Sequence, residues 1–181
     1  MNAAIKVTKI EAARCQLRTA IELWFSDGNP IAIHTLAAAA HQVVHDLNVR
    51  NKGPDLLLNT KLIKDEYRKE FLADIKHASN FMKHAERDKD GAAATLEFEP
   101  DSNDNFIMFT IFGLKYLGEN LAAEEIAFER WQMFQKPHLL ADSGKNLFEK
   151  TFTTENLSAI RAIPKSKFLE QIRLLIRQAA G

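Results

Sequence analysis

From Thr8 to the end of the chain, apolar residues recur three and four positions apart. This period, interrupted at a few well-marked points, leaves little room for anything but helices. The first run is Ile10, Ala13, Leu17, Ala20, Ile21, Trp24 and Phe25. It opens on Thr8-Lys9-Ile10-Glu11, a capping box in which hydroxyl and carboxylate satisfy the free N–H groups of a helix start. Ser26-Asp27-Gly28-Asn29 stops it. Asn29 caps a second helix that runs to Asn48 or thereabouts, with Pro30 at the first position, where a missing N–H costs nothing. The small side chains of Ala37 to Ala40 let a neighbouring helix come close.

Gly53 and Pro54 mark a loop over residues 49–60. A third helix is predicted from Leu62 to Ala85, with Tyr67, Phe71, Ile75, Ala78 and Met82 on one side. Residues 86–104 read as an acidic, irregular stretch of seven carboxylates against two cations, with Thr95-Leu96-Glu97-Phe98 as a short extended piece. Phe106 to Leu117 is apolar nearly all round and reads as a central buried helix. A helix from Ala122 to Gln135 ends before Pro137, and residues 138–163 hold one or two further helical stretches. Ser166 then starts an amphipathic helix with Phe168, Leu169, Ile172, Leu175 and Ile176 along one side. No internal repeat and no β-ladder is visible. The expectation is an all-α, single-domain helical bundle of about six to eight helices over residues 1–181, with 164–181 as a terminal helix that docks or dimerises.

Composition narrows the function classes. Lys and Arg number 24 and Asp and Glu number 24, so the formal net charge is zero, unlike a protein that coats nucleic acid through excess positive charge. The balance is uneven, since the chain from Lys145 onward carries seven cations against three carboxylates; a solvated helix face accounts for this. Cys15 is the one cysteine, which rules out an intrachain disulfide and a cysteine zinc cage. The strongest apolar run, Phe106 to Leu114, is far short of the roughly 20 residues of a membrane span. A cytoplasmic protein is expected.

The six histidines pose the chemical question. His34, His41 and His45 fall within about 40° of one another on the second helix, at the border of its bulky apolar residues. On the third helix Glu66, Glu70, His77, Phe81, His84 and Asp88 form a second stripe, and Asp74 with His77 gives Asp-x-x-His. Imidazoles and carboxylates are what a divalent transition metal such as Zn, Fe, Mn or Ni would use, with Glu125 or Glu129 as later contributors. The Glu-x-x-His pairs of di-iron bundles are missing. The plainer alternative is a set of histidines hydrogen-bonded to carboxylates and solvent.

Glu86 to Gly91, followed by Glu97, fits most of a calcium-binding loop. Glu86 stands where Asp is wanted, and Pro100 denies the loop its exit helix. Arg130 and His138 are parted by the helix breaker Pro137, so they do not form a helical ribonuclease pair.

Two segments resemble a family of small uncharacterised bacterial helical proteins: Ala32-Ile33-His34-Thr35-Leu36-Ala37-Ala38-Ala39, and Asn80-Phe81-Met82-Lys83-His84-Ala85-Glu86-Arg87-Asp88. The resemblance covers roughly the first two thirds of the chain and brings no activity, cofactor or partner with it. It directs attention to His34, Asn80, Lys83, His84, Arg87 and Asp88. Read from the residues alone, Lys83-His84 with Arg87-Asp88 is a dense mixed-charge helix end able to hold an anion or to salt-bridge a partner. Two functions are expected from these features. One is a binding or self-association module that forms a homodimer or docks a protein partner. The other is a metal- or small-ligand-binding protein using His34, His41, His45, Asp74, His77 and His84.

Overall fold

The Thr8 capping box forms as expected: Glu11 N donates to the Thr8 hydroxyl at 3.2 Å and Thr8 N donates to the Glu11 carboxylate at 2.7 Å. Helix α1, Lys9–Phe25, follows from it. Asn29 Oδ1 accepts from the N–H groups of Ile31 and Ala32 and starts α2, Pro30–Arg50. The computed structural model describes residues 4–54, 56, 64–84, 89–139 and 142–179. Its remaining helices are α3 (Asp65–Phe81), α4 (Ser102–Tyr116), α5 (Ala123–Gln135), α6 (Asp142–Thr151), α7 (Thr154–Arg161) and α8 (Lys165–Ala179). Among the described residues there are eight α-helices, two short 3-10 turns and no strand, so the all-α expectation is met. No described helix is long and apolar enough to cross a membrane.

The chain divides into two compact units, Met1–Asn120 and Leu121–Gly181. In the first, α1 and α2 form an antiparallel pair across the Asp27-Gly28 turn. Ala13, Leu17, Ala20 and Ile21 of α1 are fully buried, as are Ala37, Ala40 and Val44 of α2. Helix α4 runs parallel to α2. His34 meets Asn103, and ten residues later in each helix Val44 meets Gly113. A Cβ on Gly113 would collide with Val44 Cγ1 and stand 2.6 Å from Leu56 Cδ1, so the residue without a side chain sets how closely the two helices approach. Trp24 Nε1 donates to Asp104 at 2.8 Å, tying the end of α1 to the start of α4, and Arg14, in the first half of α1, pairs at 2.9 Å with Glu119, just past the end of α4.

Several sequence expectations shift here. Helix α4 begins at Ser102 rather than Phe106, because Ser102, Asn103 and Asp104 donate their N–H groups to the carbonyls of Glu99, Pro100 and Asp101, letting a polar first turn form. Thr95–Phe98 takes no regular structure, and a 3-10 turn, Gly91–Ala93, precedes it. The third helix ends at Phe81; the expected ends Leu62 and Ala85 lie outside the described residues.

In the second unit, α5, α6 and α8 meet in an aromatic cluster. Phe134 lies within 5.2–6.1 Å of Phe148, Phe152 and Phe168 by ring centroids, and Trp131 sits edge-on to Phe168 at 5.2 Å. Arg173 of α8 donates from Nε and Nη2 to Glu124 of α5, and Arg161 Nε donates to the Phe134 carbonyl at 2.7 Å. Phe168 and Leu169 are the buried residues of α8, while Leu174 and Leu175 remain exposed.

Candidate functional site

Helix α2 carries three histidines on its buried side: His34, His41 and His45 are 1%, 0% and 7% exposed. Sequence periodicity places them at the border of the apolar face. The structure moves them inside because α2 is covered on two sides, by α1 and by α4, so its buried arc is wider than one helical contact requires. Phe106 of α4 does much of the covering, edge-on to His34 at 5.1 Å and to His41 at 5.4 Å.

His34 is held in a defined state. Asn103 Nδ2 donates to the Pro30 carbonyl at 3.0 Å, which orients the amide, and its Oδ1 lies 2.9 Å from His34 Nδ1. Nδ1 therefore carries the ring proton and donates, leaving Nε2 with a lone pair. Phe98 and Phe106 stand edge-on to the ring at 5.1 Å each. Nε2 is buried and has no hydrogen-bond partner among the described residues. Burial pushes the His34 pKa below its ordinary 6.5, the Asn103 bond opposes this and the Lys83 cation adds to it. At neutral pH the ring is a neutral, sheltered hydrogen-bond acceptor.

His41 is deeper and has another role. It stacks on His45 with ring centroids 6.1 Å apart. Neither of its ring nitrogens makes a well-formed hydrogen bond among the described residues. Burial, with the neighbouring His45, lowers its pKa to about 4, against a partial offset from the Leu56 carbonyl. His41 belongs to the core.

Helix α3 lies antiparallel along α2. Thr35 faces Met82, with Oγ1 3.9 Å from Sδ, and further along Ala38 with Ser79 and Gln42 with Ile75 border a shared cavity. No described residue of α3 is buried, so α3 serves as the wall of a cleft rather than part of the core. The cleft has two compartments, and Ile75 of α3 and Phe106 of α4 line both. One, about 230 Å³, is walled by Phe71 and Ala78 and contains the polar side chains His34, Asp74, Ser102 and Asn105. The other, about 120 Å³, is bordered by Ala38 and Gln42 of α2 and by Lys76, Ser79, Asn80, Lys83 and His84. Lys83 Nζ is 3.4 Å from the Ser79 hydroxyl.

The cleft thus gathers five of the residues singled out from sequence: His34, Asp74, Asn80, Lys83 and His84. His41 and His45 are core residues, and His77 is exposed and lines neither compartment. Arg87 and Asp88 lie outside the described residues, as does Glu86 of the calcium-loop pattern. Glu125 belongs to the second unit, where its carboxylate accepts from the Ala122 N–H at 2.7 Å and closes the start of α5. Among the described residues no three His, Cys, Asp or Glu side chains are grouped as a metal ion needs. Sequence reasoning passes over Asn103, Ser102 and Asn105, whose only signal is a run of small polar residues just before an apolar helix, and over Lys76 and Ser79.

No family model, curated protein or solved structure matches the chain.

Proposed function

We propose that this protein binds a small molecule in the cleft bounded by α2, α3 and α4, with His34 as the central hydrogen-bond acceptor. The observation that carries this reading is the lone pair on His34 Nε2. A buried polar atom left without a partner is costly, and a concave site with a few convergent polar groups is where a ligand supplies one. Ligand-observed NMR with a fragment collection on the full chain tests it. Binders are expected whose signals are lost in His34→Phe but retained in His77→Ala, an exposed change outside the cleft. A set of binders indifferent to His34→Phe would refute the reading.

A second reading is self-association through α8. Leu174 and Leu175 are 54% and 60% exposed on a helix whose Phe168 and Leu169 are already buried. Light scattering after size exclusion, on the full chain and on Leu174→Glu with Leu175→Glu, checks it. A dimer converted to a monomer supports the reading, and a monomer in both cases removes it. A cytoplasmic setting accords with a chain whose single cysteine, Cys15, has no second thiol to pair with.

A further inference from the structure

We infer that the ligand of the α2–α3–α4 cleft is a small amphipathic anion with an N–H or O–H donor at its far end, the donor resting on His34 and the anionic group beside Lys83. This rests on reading the cleft as a ligand site and adds the polarity of what it holds.

The two compartments differ in charge and in hydrogen-bonding character. Among the described residues the His34 compartment contains one charged side chain, the Asp74 carboxylate. It sits at the start of α4, where an anion is often welcome. Here that reception is withdrawn: the N–H groups of Ser102, Asn103 and Asp104 are already donated to the carbonyls of Glu99, Pro100 and Asp101. A negative group there would face a carboxylate and no spare backbone donors from that turn. His34 Nε2 and Asp74 are both acceptors, so this end suits a hydrogen-bond donor.

The second compartment has the opposite character. Lys76 and Lys83 contribute two cations, Ser79 a hydroxyl and Asn80 an amide, and no carboxylate lines it among the described residues. The two compartments adjoin, since Ile75 and Phe106 line both, so one small molecule can reach from one end to the other. Between them, Ile75 and Phe106 present apolar surface to both compartments. Cavities of about 230 and 120 Å³ suit a molecule of one ring and a short acidic arm rather than a polymer.

Isothermal titration calorimetry on the full chain provides the test, with three probes: para-aminophenylacetate, which has donor and anion; phenylacetate, which lacks the donor; and aniline, which lacks the anion. Para-aminophenylacetate is expected to bind about tenfold more tightly than either of the others. Lys83→Gln, an exposed change with little folding risk, should erase its advantage over aniline; His34→Phe should erase its advantage over phenylacetate. The comparison among probes on the unaltered protein keeps the test valid even if His34→Phe fails to fold. Equal affinity for para-aminophenylacetate and phenylacetate overturns the donor assignment. Equal affinity for para-aminophenylacetate and aniline, or indifference to Lys83→Gln, overturns the anionic end. Failure of all three overturns this ligand class, whereas the cleft itself falls only if fragment binding is also indifferent to His34→Phe.

Discussion

His41 makes the stability of the first unit depend on mild acid. Its pKa falls from 6.5 to about 4 because the ring is fully buried, with the His45 and Lys76 charges adding to the effect and the Leu56 carbonyl and Asp46 opposing it. Between those two pH values the unfolded chain holds a proton that the folded chain refuses. The unfolded state then binds more protons, so stability rises with pH and is lost as pH falls from about 6.5 towards 4. Each pH unit across that interval is worth up to 1.36 kcal/mol, and at pH 5 the accumulated loss from this one group is about 2 kcal/mol. His41→Leu removes the titration at similar volume and replaces an imidazole whose nitrogens lack well-formed hydrogen bonds, so it should be nearly neutral at pH 7.5. Urea unfolding followed by Trp24 fluorescence in a Trp131→Phe background reads the first unit alone. With a urea dependence of about 2 kcal/mol per molar, the midpoint of the parent should drop by on the order of 1 M between pH 7.5 and pH 5 through this group. The His41→Leu midpoint should drop by that much less. It retains a shallower slope because burial lowers the His34 pKa as well, and that contribution has the same sign. Glu11, whose carboxyl is held below its ordinary value by the Thr8 bonds, is common to the parent and His41→Leu, so its contribution cancels in the comparison. Parallel pH curves for the parent and His41→Leu would refute the reasoning.

The other expectations are tied to single contacts. Asn103→Leu strips His34 Nδ1 and the Pro30 carbonyl of their partner and should cost about 1–3 kcal/mol by urea unfolding, with the His34 ring losing its fixed tautomer in histidine NMR spectra. Gly113→Ala drives a methyl into Val44 and Leu56 and should destabilise by about 1–3 kcal/mol, seen as a lower melting temperature. Thr8→Ala opens the capping box of α1 and should cost about 1 kcal/mol in the same assay. Lys83→Gln, by contrast, should leave the melting temperature of the unliganded protein unchanged, because Lys83 is exposed and its contact with Ser79 is long.

What the sequence discloses and what it hides follow from the range of the interactions involved. The caps of α1 and α2 are local: Thr8 meets Glu11 and Asn29 meets Ala32 within a single turn, so a few adjacent letters suffice to find them. The helical wheel likewise groups His34, His41 and His45 correctly, because their spacing depends on the helix alone. Periodicity does not reveal that α4 lies parallel to α2 and brings Phe106 down over His34 and His41, which turns an expected border into a buried row. That depends on Gly113, sixty-nine residues beyond Val44, offering a surface without a side chain. The partner that sets the chemistry of His34 is equally distant. Asn103 sits sixty-nine residues away, in a stretch whose charge makes it look like loop, and its polar turn is helical only because three carbonyls just upstream take up its N–H groups. The same long-range geometry separates histidines that look alike in sequence. His34 opens onto the cleft, His41 is sealed in the core, and His77, on the other helix, faces solvent. Five histidines on two stripes suggest one shared metal shell, but a stripe states only which residues share a helix face. What the packed chain assembles instead is a cleft whose one compartment is lined by His34 and whose adjoining compartment is lined by Lys76 and Lys83, an arrangement made by the packing of α2, α3 and α4 that no single-helix pattern encodes.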